Sequence, residues 1–224
     1  MDYAGLPRGT VDFLHGLAAN NDRNWFEAHR AAYERDWLGA GLDLIAALSG
    51  PCAALGLLAV PRLNASLRRI HRDVRFSKDK RPYVPRLHVI LATGPEFNKV
   101  PGVHLVISAK GIGFGAGIYG LTPEALAAFR RRICDSAERA GFEAALEEAG
   151  RVGAVLDPPD LARLPKGFGA ASWDGYLRRK SVIVRHEGDE GHPDWLFGPG
   201  AVAGWMGIVG ALAPLPLWLA ADEG

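Results

Sequence analysis

The chain has 224 residues, 48% of them hydrophobic and 23% charged, with a formal net charge of +1. That length and apolar content allow a substantial buried core and exclude a disordered chain. The near-zero charge excludes a protein that is basic all over, as a general nucleic-acid coat would be. The charge is nonetheless uneven. Residues 68–86, RRIHRDVRFSKDKRPYVPR, hold eight Lys or Arg against two Asp, which leaves eighteen basic and twenty-three acidic residues elsewhere. A single strongly basic segment on an otherwise acidic chain points to a local anion site.

The N-terminus has an acid at position 2 and no apolar run before Arg8, so it does not read as a signal peptide. Thr10 is placed to cap a short helix carrying Val11, Phe13, Leu14 and Leu17. After NNDR (20–23), Asn24 and Glu27 form a capping-box pattern that opens a helix through WFEAHRAAYERDWL, with Trp25, Ala28, Ala32 and Trp37 on one face. GLDLIAALSGPCAALG continues as helix and is expected to stop or bend at Gly50-Pro51. Residues 64–76 alternate in part, Ile70, Val74 and Phe76 against Arg69, His71, Asp73 and Arg75, which predicts a strand. RLHVILATG (86–94) and GVHLVISAKGIGFGAGIYG (102–120) supply at least three more, with a turn at 109–111.

Glycines at 111, 113, 115 and 117 leave one face of the last of these strands bare, so a helix, another backbone or a ligand can approach closely. Gly115 to Gly120 also fit the dinucleotide fingerprint, but no strand–helix–strand unit surrounds them, and a tight turn before a capped helix explains the same letters. That helix starts at Thr122-Pro123-Glu124 and carries Leu126, Phe129, Ile133, Cys134 and Ala137. A second short helix covers 142–150, 157–172 reads as loop, and 173–188 as a helical turn followed by a strand. The uncharged stretch 195–221 is long enough to cross a membrane, but its five glycines and three prolines favour a buried terminal helix. The order of elements gives an α+β fold, a mostly antiparallel sheet packed with helices from the N-terminal third and the C-terminal half. It forms a single domain over 1–224, helical over about 1–62, sheet-forming over about 63–120, then helices and a final strand over 121–224.

Five pieces carry a resemblance when taken together: NNDRNWFEAHRAAYERD (20–36), RRIHRDVRFSKDKRPY (68–83), PGVHLVIS (101–108) with the glycine-rich strand after it, RLPKGF (163–168) and YLRRKS (176–181). In this order and spacing they resemble an uncharacterised bacterial and fungal family, domain of unknown function 2461, over nearly the whole chain. The resemblance implies one cytoplasmic domain whose feature of note is the segment at Arg72–Tyr83. It also implies a divergent member. The family pattern has Lys-Thr where Val84-Pro85 stand, a His and an acid near Val106 and Ser108, and Asp and His-Pro where Gly-Ala-Ala follows PKGF.

The candidate site is a basic cleft centred on residues 72–83. Arg72 and Arg75 offer permanently charged forks suited to phosphate or carboxylate. Lys78 and Lys80 add point charges, Ser77 a hydroxyl, Tyr83 a phenol. Asp79 orients a neighbouring cation. Asp73 orients an arginine, or acts as base if a reaction occurs. Lys166 and Lys180 are expected to converge on the same cleft. The function expected is binding of a small, phosphate-bearing anion; the chemistry fixes no cofactor, reaction or oligomeric state. The rival readings are a nucleic-acid or protein interaction module using the basic face, and a degenerate family member with a structural role. No membrane partner is expected. His71, His88 and His104 lie on adjacent candidate strands, but they read as three unrelated polar-face histidines and not as a metal site. Cys52 and Cys134 match no metal or redox spacing and read as two buried thiols.

Overall fold

The structure, a computed structural model, describes residues 3–221. Its elements in chain order begin with α1 (Arg8–Ala19), α2 (Arg23–Ala28) and α3 (Arg30–Ala54, π-helical over Tyr33–Gly39). Then come strands β1 (Arg86–Ala92), β2 (Gly102–Ser108) and β3 (Ile112–Ile118), helices α4 (Pro123–Cys134) and α5 (Ser136–Arg151), and the short strand β4 (Val155–Leu156). Helix α6 (Asp174–Leu177), strand β5 (Val182–His186), α7 (Ala201–Leu212) and α8 (Pro214–Ala220) complete the chain. The five strands form one antiparallel sheet in the order β1-β2-β3-β5-β4. The fold is α+β, as the sequence predicts.

Alternation along the strands sorts the two faces of the sheet. Leu87, Val89 and Leu91 on β1 and Val103, Leu105 and Ile107 on β2 point to the main core. Helices α1, α3 and α8 pack against that side. The opposite face carries His88 and Ile90, His104 and Val106, and the bare positions Gly113, Gly115 and Gly117, set side by side by the register. A second, small cluster of Ala65, Ile90, Ala92 and Phe97 lies on this side, under the segments that flank β1.

Several local expectations are corrected. Thr10 is not a cap: α1 starts earlier, behind Pro7, and the buried Thr10 hydroxyl donates to the Asp36 carbonyl at 2.5 Å, tying α1 to α3. The cap of α2 is Asp22, whose carboxylate accepts from the Trp25 N–H, in place of the Asn24–Glu27 box. Helix α3 runs through Gly50-Pro51 to Ala54. The proline falls in the last turn, where one missing N–H costs little, and buried Leu44, Ile45, Leu48 and Cys52 hold the helix on the core. The second helix of the C-terminal half is longer than 142–150 because Asp135 caps it from Ser136 onward. Cys52 is buried but Cys134 is exposed. Trp37 is fully buried and donates from Nε1 to the Arg86 carbonyl, whereas Trp25 is half-buried and stacks on His29.

Residues 64–76 do not form a strand. Asn64 turns the chain at φ 64°, and only isolated bridges Leu67↔Val89 and His71↔Tyr83 remain of the expected ladder. The physical cause is local. Asp73 accepts the backbone N–H of Arg75, so a donor the ladder needs is diverted into a turn, and Asp79 repeats the same turn with Arg81 beyond the segment. What precedes them still covers the outer edge of β1, through Arg68 N–H to the His88 carbonyl and Ile90 N–H to the Ser66 carbonyl. The uncharged stretch 195–221 becomes a short 3₁₀ turn, Asp194–Phe197, followed by α7 and α8, which are bent by 46°. Trp205, Val209, Leu212 and Leu215 enter the core.

On β3 the glycines have a definite reason. A Cβ built on Gly117, at φ +128°, would lie 1.8 Å from the Val182 carbonyl oxygen, and one on Gly115 would lie 2.5 Å from that of Val184. Of the approaches a bare face permits, the one observed is backbone: β5. Gly117→Ala is therefore expected to destabilise the fold by more than about 3 kcal/mol, read as a lower urea midpoint. Gly207→Ala, on the exposed side of α7 with nothing within 4 Å, is expected to raise stability by roughly 0.5–1 kcal/mol in the same assay.

Candidate functional site

The basic segment divides into a middle and two ends. In the middle, the charges satisfy one another. Asp79 accepts from Arg72 at 2.6 Å and from Arg81 at 2.7 Å, and Asp73 pairs with Arg75 at 2.6 Å. These guanidinium contacts hold both carboxyls below the usual carboxylate range, the largest cause being Arg75 for Asp73 and Arg81 for Asp79. Lys80 donates to the Val74 carbonyl at 3.0 Å, and Lys78 is exposed. Phe76 stands out of the loop at 96% exposure. Tyr83 is buried: its ring stacks on Phe26 at 4.2 Å, and its backbone N–H and C=O are both held by the Asn21 amide at 3.0 Å.

Lys166 and Lys180 are not brought to this loop. Residues 72–83 lead into the first residue of β1, whereas Lys180 precedes β5, whose start lies beside the far end of β3. The two places are diagonal corners of the sheet. Lys180 is exposed, its backbone N–H donating to Asp160, and Lys166 is exposed in the 157–172 loop. Ser77 is half-buried, with its backbone N–H on the Val74 carbonyl.

Two cavities flank the sheet, and no residue from 72 to 83 lines either. The smaller, about 330 Å³, lies between the start of α4 and α8, where the Arg132 guanidinium sits 3.6 Å over the Trp218 ring. The larger, about 460 Å³, opens on the bare face of the sheet. Its floor is the glycine strand β3. Its walls include Arg68 and Arg86, the outermost residues of the basic segment, together with His88, His104 and Arg185. Ile90, Phe97 and Val100 supply an apolar side.

In this cavity His88 Nε2 and His104 Nδ1 lie 2.9 Å apart, so the two imidazoles share a hydrogen bond. The expectation of three unrelated histidines is thus corrected for two of them. His71 goes elsewhere, edge-on to Phe26 and Tyr83. Among the described residues no group of three or more side chains suited to a metal ion is found. Both imidazoles are held well below their ordinary pKa. Burial is the main cause for each; His88 is lowered further by His104, Arg86 and Arg68, and His104 by Arg68 and Arg86. Arg68 binds the Asn98 side chain and Arg185 the Asp157 carboxylate. The Arg86 guanidinium has no hydrogen bond or ion pair among the described residues, and burial and Arg68 both act against its charge.

A family model described as a conserved hypothetical protein (DUF2461) matches residues 9–214, from the first helix into the last. The chain belongs to this family. No curated protein and no solved structure matches it. The DUF2461 match embraces both the basic segment and the sheet-face cavity, so both are features of one family unit.

Sequence reasoning missed Arg68 and Arg86 as a pair because they stand eighteen positions apart, at the two ends of a segment whose middle holds most of the charge. The signal available was the alternation of His88 and His104 out of apolar strands, on the same side as the glycines. Without the register, that signal could not say that the rings touch.

The depressed imidazoles set a pH dependence of folding. Unfolded, each ring takes a proton near its ordinary value of about 6.5; folded, it resists. Stability is therefore intact above that value and is lost as pH falls below it, by up to about 1.4 kcal/mol per pH unit for each ring. Urea unfolding at stepped pH is expected to show this slope in the wild type, and His104→Leu is expected to flatten it.

Proposed function

We propose that this DUF2461 protein binds a small oxyanion-bearing ligand, phosphate-bearing in the leading case, in the sheet-face cavity between Arg68 and Arg86. The observation that carries the reading is the Arg86 guanidinium, which is set beside a second guanidinium and has no carboxylate partner among the described residues. A guanidinium cannot discharge itself by losing a proton. Both residues are exposed overall, so water screens part of their repulsion; what is left is relieved when an anion occupies the space between them. The volume falls within the range of small-molecule sites, and an apolar wall beside a few convergent polar groups is their usual make-up. Val106 in the wall, where the family pattern leads one to expect histidine, favours binding over turnover.

A second reading rests on Phe76. An exposed aromatic on a loop that also carries Arg75, Lys78 and Lys80 offers a stacking surface beside cations, the chemistry of single-stranded nucleic-acid contact. The two differ in what they require. A cavity holds one compact anion, whereas a loop surface loses affinity steeply with salt.

Titration of phosphate into the full chain by calorimetry tests the first reading. Wild type is expected to bind, Arg86→Ala to bind roughly ten- to a hundredfold more weakly, and Arg75→Ala to bind as wild type. Loss of phosphate binding in Arg75→Ala with retention in Arg86→Ala would return the site to the loop.

A further inference from the structure

Because the two cavity imidazoles are bonded to each other, what they can offer a ligand is fixed. One ring donates along the 2.9 Å contact and the other accepts. The remaining nitrogens, Nδ1 of His88 and Nε2 of His104, make no hydrogen bond among the described residues. If His88 donates from Nε2, its Nδ1 is a bare lone pair and His104 carries its proton on Nε2. If His104 donates from Nδ1, its Nε2 is the lone pair and His88 carries its proton on Nδ1. In both arrangements the neutral pair presents one N–H and one lone pair. A single added proton keeps the shared bond and turns that lone pair into a second N–H donor.

We propose that the cavity takes up one proton on the His88–His104 pair when it binds a fully ionised oxyanion. This rests on the anion-binding reading above and names how that site is regulated. Such an anion has acceptors only. Against the neutral pair one of its oxygens meets a lone pair, which leaves two acceptors opposed in a partly dry site. Against the protonated pair both nitrogens donate, and the hydrogen bonds are charge-assisted. No atom is lost in the step: the proton comes from solvent and rests on the second ring nitrogen.

The groups around the pair agree with this. Arg68 faces it from the segment before β1, Arg86 from β1 itself and Arg185 from β5, with Glu187 just beyond β5 and Tyr119 after β3; His186, at the end of β5, also lines the cavity but its ring stacks on Phe114 at 4.7 Å. Register puts His104 opposite Gly115 and Gly115 opposite Arg185, so no side chain stands between them. Asp157 is committed to Arg185, and Glu187, which lines the cavity beside Gly113, is not among the groups that shift either imidazole. The charges that do act on the pair are the cations Arg68 and Arg86, and they oppose a third positive charge. An anion seated among them reverses the sign of the local field and makes the imidazoles basic again. Binding and protonation then assist one another equally, as linkage demands.

Sulfate is the probe, because it stays fully ionised across the useful range and every proton taken up must land on the protein. The measurement is calorimetric titration of the full chain in buffers of different ionisation enthalpy, from about pH 7.5 to about pH 5.5. Uptake of close to one proton per sulfate is expected, with affinity rising up to about tenfold for each unit of pH lowered. His88→Gln and His104→Gln are expected to bind sulfate more weakly, with the uptake and the pH dependence gone. The buffer series on wild type stands without them should either fail to fold. Sulfate bound with no proton taken up, or uptake that survives in both folded variants, overturns the inference and leaves the anion site standing. No sulfate binding by wild type at any of these pH values overturns the anion site itself.

Discussion

The architecture turns on one strand that lacks side chains on one face. Because β3 presents Gly113, Gly115 and Gly117 on the face away from the core, β5 can bring its carbonyls to within reach of positions that any Cβ would occupy. That approach lets the sheet continue past its three consecutive strands to β5 and β4. It also determines the cavity. A strand of alternating large residues would fill the open face, whereas a bare one leaves a floor of peptide with walls raised by β1, β2, β5 and the flanking loops. The same absence of atoms thus serves the packing of the sheet and makes room for a ligand.

The basic segment shows how little a charge count reveals about a site. Carboxylates two residues ahead of arginines bend the chain into tight turns and neutralise them in the same stroke. Exposed pairs of this kind add little stability, but they fix the shape of the loop. The Asn21 amide then grips both backbone groups of Tyr83, and Phe26 stacks beneath its ring. With that end anchored to the N-terminal helices, and Arg68 paired through its backbone to β1, the backbone at both outermost arginines is tied to the sheet. Charge in the middle is self-contained; charge at the ends is delivered.

Much of the fold was legible because its signals are local. The strands at 86–94 and 102–120, the Thr122-Pro123 start of α4 and the turn-then-strand at 173–188 each follow from periodicity or caps within a few residues. The failures share a cause too. The strand expected over 64–76 had the right alternation, but Asp73 offered the Arg75 N–H a nearer partner. The cap expected at Thr10 was lost to a contact with Asp36, twenty-six positions away. The site was half legible for the same reason. That the segment matters to the anion reading could be seen from composition, but which of its arginines remain without a carboxylate depends on pairings that composition does not contain. The conjunction of His88 with His104 depends on the register of β1 on β2, and the Gly94-Pro95 signal in the loop between them marks a turn without fixing that register.

The cavity also separates permanent from conditional charge. Arg68 and Arg86 stay ionised in any environment this protein offers, because a guanidinium holds its proton far above neutral pH. The imidazoles beside them have a choice, and burial together with those two cations makes it for them: both are neutral. A carboxylate paired with these arginines would have absorbed their field and removed one cause of the histidines' neutrality, leaving burial as the larger one. Glu187 lines the cavity but pairs with neither arginine among the described residues, so the field is unspent. Two fixed positive charges and one proton's worth of switchable charge on the imidazole pair disfavour a cation in this space. Under the anion-binding proposal the occupant is a compact anion, and the more negative it is, the more strongly it calls that reserve into use.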